Sequence, residues 1–123
     1  MTRSRASAKK AGASFERDIA DCFAAEVDDR IDRQVKTGRL DVGDVGGLRF
    51  HGHKIAVECK NEAQPKLATW SKEAEQERQN LGAIAGVIVH KRHGKADPME
   101  QWVTMTMRDF VALMRLGNEG HQK

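Results

Sequence analysis

The stretch Asp41 to Lys60, DVGDVGGLRFHGHKIAVECK, constrains the chain more than any other. Ile55, Val57 and Cys59 alternate with Ala56, Glu58 and Lys60, which is the two-residue period of a β-strand. Side chains two apart share a face, so Glu58 and Lys60 point one way while Ile55 and Val57 point the other. Gly52, in the HGH triplet, suits a three-residue turn back to a strand over Val42–Phe50. That turn sets Asp44 opposite Lys60 and Gly46 opposite Glu58, with Asp44 diagonal to Glu58. Diagonal neighbours lie roughly 7–8 Å apart, near enough for two carboxylates to bridge one divalent cation. Gly46 and Gly47 leave room beside them.

Two carboxylates and a lysine on one hairpin face suit metal-dependent phosphodiester hydrolysis. Hard oxygen ligands hold Mg²⁺, with Mn²⁺ able to substitute, and the ion keeps sites for water and phosphate oxygens. Such an ion lowers the pKa of bound water and offsets charge on the transferring phosphorus. A compact ammonium beside it orients the water or stabilises the transition state. A solvent-facing strand with scattered charges also fits an isolated E-x-K, but the preceding G-D and the glycines favour a site.

The spacing of Asp44 to Glu58-Cys59-Lys60 resembles the PD-(D/E)XK nuclease superfamily. The segment Gly12–Val27, GASFERDIADCFAAEV, is similar to the first helix of archaeal and phage Holliday junction resolvases, where an F-E-R glutamate joins the metal site. The resemblance runs from about Ala11 to Lys91, and Val42 replaces the proline of the family name. It implies Asp44, Glu58, Glu16 and the Cys59 backbone carbonyl as metal ligands, and Glu16, Asp44, Glu58 and Lys60 as the catalytic set. It also implies a glutamine or acidic residue on a later helix, for which Gln76 and Glu77 are candidates. A basic pair ending a strand, here Lys91 and Arg92, would contact phosphate.

The rest of the chain fits one domain. At 123 residues it can bury one modest core. Charged residues make up 32% yet net to only +3, so an anionic partner would be met through local patches. Residues 1–10 carry Arg3, Arg5, Lys9 and Lys10 without apolar periodicity and read as a flexible basic arm, either a solubilising terminus or a phosphate-tracking one. A helix is expected from an N-cap at Ser14 to about Asp28, with Phe15, Ile19, Cys22, Phe23 and Val27 on its apolar face. Glu16 falls on that same side and must meet a cation if buried. Residues 30–35 suit a short strand, and Arg33 within it, with Lys36 and Arg39 in the loop after it, lie ahead of Asp44 as solvated charge or as contacts to a DNA backbone.

Ala68–Leu81 reads as a charged helix with Trp70, Ala74, Glu77 and Leu81 along one stripe. Gly82–Arg92 contains a continuous apolar run, expected as a central strand beside Ile55–Lys60. An edge strand over Gln101–Met105 and an amphipathic helix over Met107–Leu116 follow, and residues 117–123 read as a disordered tail. Cys22 and Cys59 occupy apolar-patterned positions and suit buried thiols of a reducing, cytoplasmic compartment. His51 and His53 lack zinc-ligand spacing. No segment is apolar enough for a membrane span.

The expected fold is therefore α/β, a restriction-endonuclease-like mixed sheet flanked by helices in the order α-β-β-β-α-β-β-α, with the nuclease domain over residues 11–116. The expected function is a structure-selective DNA endonuclease, with a Holliday junction resolvase first. A repair or restriction-type nuclease and a non-catalytic nucleic-acid-binding module are the alternatives. Branched DNA would be the partner. Paired incisions by a chain with one site call for a homodimer, its interface on the Trp70 helix or the Met107–Leu116 helix.

Overall fold

A computed structural model describes residues 3–36 and 38–119. The first helix, α1, spans Arg5–Glu26, far longer than the segment that begins at Ser14. Apolar periodicity reports which turns pack, not which turns are helical. The run from Arg5 to Ala13 is rich in Ala, Lys and Arg, strong helix formers that need no buried face. Ser4 caps it, its Oγ accepting from the Ser7 amide at 3.1 Å. The basic segment is thus mostly helical rather than a loose arm, and Ser14 sits mid-helix. Phe15, Ile19 and Ala20 are buried, whereas Val27, expected on the same face, is 60% exposed where the helix ends.

After α1 the strands are β1 (Asp32–Arg33), β2 (Val45–Gly46), β3 (Arg49–Phe50) and β4 (His53–Lys60). The expected strand Val42–Phe50 is therefore broken in two, and the hairpin differs in two places. His51 (φ 50°) and Gly52 (φ 80°) both take left-handed backbone, making a two-residue turn that pairs Phe50 with His53. One extra residue then lies between the Leu48–Ile55 hydrogen bond and the Val45–Val57 pair, at Gly46–Gly47, where Gly47 has φ 95°. This is a bulge. Each change slips the register by one residue and alone would turn every side chain to the other face. Together they restore the faces but set Val45 opposite Val57, which carries Asp44 away from Lys60 and brings its side chain against Glu58.

Helix α2 (Leu67–Leu81) leads to β5 (Ala85–His90), which runs parallel to β4 with Glu58 beside Ile88 and Lys60 beside His90. A 3₁₀ turn (Pro98–Glu100) precedes β6 (Trp102–Thr104), the antiparallel edge, and helix α3 (Met107–Asn118) follows. The chain is α/β, with a mixed six-stranded sheet flanked by three helices and the main path ordered β1-β2-β4-β5-β6. Residues 117 and 118, expected in the tail, belong to α3, and residues 120–123 lie outside the described part.

Alternation along the strands divides the core. Ile55 and Val57 of β4 with Val87 and Val89 of β5 meet Phe15 and Ile19 of α1 and Leu113 of α3 on one face. On the other face Ile88 meets Trp70 and Ala74 of α2. Trp70 is only 2% exposed and packs inside the chain, so it offers no interface. Gly86 permits α2 to lie this close, because a Cβ there would sit 2.6 Å from the Ala74 carbonyl oxygen. No helix among the described residues is long and apolar enough to cross a membrane.

Candidate metal centre

Glu58 projects from the α2 side of β4, into the space that α2 closes. It is 6% exposed, Asp44 is 9% exposed and Glu77 of α2 is 2% exposed. Asp44 is oriented by the backbone, its Oδ2 accepting from the Cys59 amide at 2.8 Å. Asp41 lies on the loop before β2, where its Oδ1 accepts from the Gly43 amide at 3.0 Å. Gly43 has φ 101°, and a Cβ there would stand 2.7 Å from the Val57 carbonyl oxygen, so only glycine brings the loop this near to β4. Asn80 of α2 donates to the Asp41 carbonyl at 2.8 Å and ties that loop to the helix.

These supports gather Asp41, Glu58 and Glu77, whose ligand oxygens lie within 4.8 Å of one another. Neither carboxylate oxygen of Glu77 has an N–H or O–H donor among the described residues. Burial is the largest influence on Glu58 and pushes its carboxyl well above the usual range, reinforced by contact with Asp44 and Glu77 and by their charges. Glu77 is pushed up to about 7, again chiefly by burial; its contact with Glu58 works the other way, and the charges of Asp41, Asp44 and Glu73 add to the rise. Carboxylates crowded this closely cannot all ionise without a cation, so the donor set suits a hard divalent ion.

Lys60 is placed beside this cluster but not in contact with Asp44, as the sequence-based register had it. Its Nζ pairs with Glu73 Oε2 of α2 at 2.7 Å. Burial alone would lower its pKa, but the Glu73 hydrogen bond and the charges of Glu58, Glu73 and Glu62 outweigh that and raise it. Glu16 is half-buried on α1, with Arg33 Nη2 3.8 Å from its Oε1. Burial and the Asp44 charge raise its pKa, against the charges of Arg33 and Lys36. It therefore meets the cation its position demands and stands on the border of the acidic cluster.

The remaining candidates divide. Lys36 and Arg33 line an open groove of about 480 Å³ with Lys9, Gly12, Ala13, Glu16 and Gln34. Arg39 lines a second one of about 460 Å³ with Gln34, Lys36 and Asp41. Arg3 is engaged at the end of β4, donating to the Asn61 carbonyl at 3.1 Å, while Arg5 is exposed at the start of α1. Lys91 continues from β5, its amide bonded to the Lys60 carbonyl and its Nζ to the Lys95 carbonyl. Arg92 is committed elsewhere, stacked 4.6 Å over the Trp102 ring and 3.3 Å from Glu100. Gln76 is exposed and bonds Asn80, so of the two helix candidates Glu77 alone joins the cluster.

Asp41 and Glu73 were not singled out from the sequence. The signal for Asp41 was its position two before a glycine, the pattern of a side chain that bonds its own turn. For Glu73 it was the spacing of four to Glu77, which puts both on one helix face. No family model, curated protein or solved structure matches the chain.

Proposed function

We propose that the chain is a metal-dependent endodeoxyribonuclease of the PD-(D/E)XK type, acting on branched DNA as a Holliday junction resolvase, with a restriction-endonuclease-like core. The observation that carries this reading is the cluster of exposed Asp41 with buried Glu58 and Glu77, the Glu77 oxygens having no N–H or O–H donor among the described residues and the Lys60 ammonium lying alongside. Mg²⁺ would be held by Asp44 and Glu58, with Glu77, Asp41, Glu16 and the Cys59 carbonyl as further donors. When bound, the ion supplies Lewis acidity and an activated water.

The chain's own groups supply the rest. The Cys59 amide fixes the Asp44 carboxylate in one orientation. Glu73 keeps Lys60 protonated and restrains its Nζ, so the lysine serves as a fixed positive charge for the developing negative charge on a phosphate rather than as a base. Arg33, Lys36 and Arg39 offer cations to neighbouring phosphates, contacts that position a strand without reading its sequence. Selectivity for junctions then rests on two sites held at a fixed spacing in a homodimer.

The test compares a four-way junction with a linear duplex of the same arm sequence in Mg²⁺. The reading expects two symmetric incisions in the junction and much weaker cutting of the duplex. Equal cutting of both leaves a general nuclease of this type. Tight DNA binding with no cutting in Mg²⁺ or Mn²⁺ leaves a binding module.

A further inference from the structure

The hairpin of β3 and β4 carries two cations that the metal centre does not use. Ile55 and Val57 face the α1 side of the sheet, so Lys54, like Glu58, projects toward the α2 side. Arg49 of β3 is paired directly with Lys54 and shares that face. Like charges set opposite each other across two strands destabilise the pairing. Among the described residues neither cation has a carboxylate partner. Arg49 is held once, its Nη1 donating to the Gly52 carbonyl at 3.3 Å, which leaves most of its N–H donors available.

Arg49 and Lys54 line a pocket of about 210 Å³ with Gln34, Gly47 and Leu81, at the end of α2. No acidic side chain lines it. Water takes about 30 Å³ per molecule, so the pocket has room for a tetrahedral oxyanion with part of its hydration. Gly46 lets Gln34 lie across the strand here, since a Cβ at Gly46 would collide with Gln34 Oε1. Gln34 also lines both open grooves beside the carboxylates, so the three openings meet at this residue. Their cations run from Lys9, Arg33 and Lys36 past Arg39 to Arg49 and Lys54. The acids that line them are Glu16 and Asp41, on the border of the carboxylate cluster and within it. A merely solvated turn gives no reason to hold two unpaired cations face to face over an acid-free pocket. An anion seated there offsets their repulsion.

We infer that the Arg49–Lys54 pocket is a phosphate-binding subsite, and that it holds a backbone phosphate of the DNA strand whose scissile bond lies at the metal centre. The anion site stands on the pocket itself, and the identity of the strand rests on the nuclease reading. Lys54 and Glu58 are four residues apart, about 13 Å along β4. That matches the rise of about four nucleotides of one duplex strand. The contact registers charge rather than sequence and grips the strand away from the cut.

Two probes separate a strand phosphate from a free one, both used in EDTA. Inorganic phosphate, titrated into ¹⁵N-labelled protein at constant ionic strength, should shift the amide signals of Gly47, Arg49 and Lys54. The double variant Arg49→Gln/Lys54→Gln should show no such response at Gly47. For binding of a four-way junction, the same variant should have a slope of log affinity against log salt flatter by about 0.9, the value of one neutralised phosphate. Its thermal melt should not fall below that of wild type, because the substitution removes a like-charge pair. An unchanged slope, or a phosphate response that the variant retains, overturns the inference. Phosphate shifts in wild type with an unchanged slope mark a site for a free anion and overturn the strand contact. A protein that shows the slope change but never cuts DNA loses the nuclease reading alone, and one that cuts with an unchanged slope loses this subsite alone.

Discussion

Replacing Glu77 by Gln should make the metal-free protein more stable while weakening its response to metal. The side chain keeps its shape, and the amide can hydrogen-bond the neighbouring Glu58 carboxyl group, which burial keeps protonated. Burial and the surrounding charges hold the Glu77 carboxyl up to about 7, against an ordinary value of 4.5. Each pH unit of such a difference is worth about 1.4 kcal/mol, so ionised Glu77 costs the metal-free fold on the order of 3 kcal/mol. The sign follows from proton linkage. A carboxyl whose folded pKa exceeds its unfolded value leaves stability intact below the unfolded pKa and erodes it as pH rises through the folded one. Wild-type protein in EDTA should therefore lose stability between about pH 4.5 and 7, and Glu77→Gln should escape that part of the loss. For a chain of 123 residues the gain at pH 8 corresponds to a melting temperature higher by about 10–15 °C, vanishing near pH 4.5. Adding Mg²⁺ at ten times its Kd should stabilise wild type by about 1.4 kcal/mol and the variant by much less. Thermal melts at pH 4.5 and 8, with and without Mg²⁺, measure all four states. A variant that melts below wild type at pH 8 in EDTA would show that the buried carboxylates are not in conflict, and the metal argument would lose its footing.

Other expectations follow from the same geometry. Asp44→Asn and Glu58→Gln should abolish Mg²⁺-dependent cleavage while gel-shift binding of DNA persists, since each removes a charged ligand and little volume; full activity in either removes it from the site. Lys60→Ala should slow single-turnover cleavage by on the order of 100-fold, and Glu16→Gln should do likewise; a Glu16 variant that unfolds more easily but cuts normally makes that residue structural. Gly86→Ala forces a Cβ against the Ala74 carbonyl and should cost about 1–3 kcal/mol in urea unfolding, with an unchanged midpoint as the contrary result. Neutralising Arg3 and Arg5 together should flatten the salt dependence of DNA binding by roughly 0.9 per lost phosphate contact, and an unchanged slope makes both bystanders.

What was legible in the sequence was chiefly what alternation and helical period determine. Val87, Ile88 and Val89 read as a strand covered on both faces, and β5 lies centrally beside β4 with all three buried. The stripe Trp70–Ala74–Glu77 is the buried side of α2. Glu16 fell on the apolar side of its helix and is half-buried there beside Arg33. The hairpin register was not legible, because a turn one residue shorter and a bulge at Gly46–Gly47 are decided by left-handed backbone at His51, Gly52 and Gly47. The two slips cancel in face but not in pairing, so Glu58 kept its side while Asp44 changed its partner. The start of α1 was missed because helix propensity without a packed face leaves no periodic trace. Asp41 and the Lys60–Glu73 pair arise from contacts of α2 with the loop before β2 and with the end of β4, which local pattern does not encode.

The most direct test of the central account is single-turnover cleavage of an end-labelled four-way junction as Mg²⁺ is titrated, with wild type beside Glu58→Gln at DNA concentrations both bind. The account predicts no product in EDTA, saturable cutting by wild type as Mg²⁺ rises, and none by the variant. Cleavage that persists in EDTA, or a variant that cuts as fast as wild type, contradicts it.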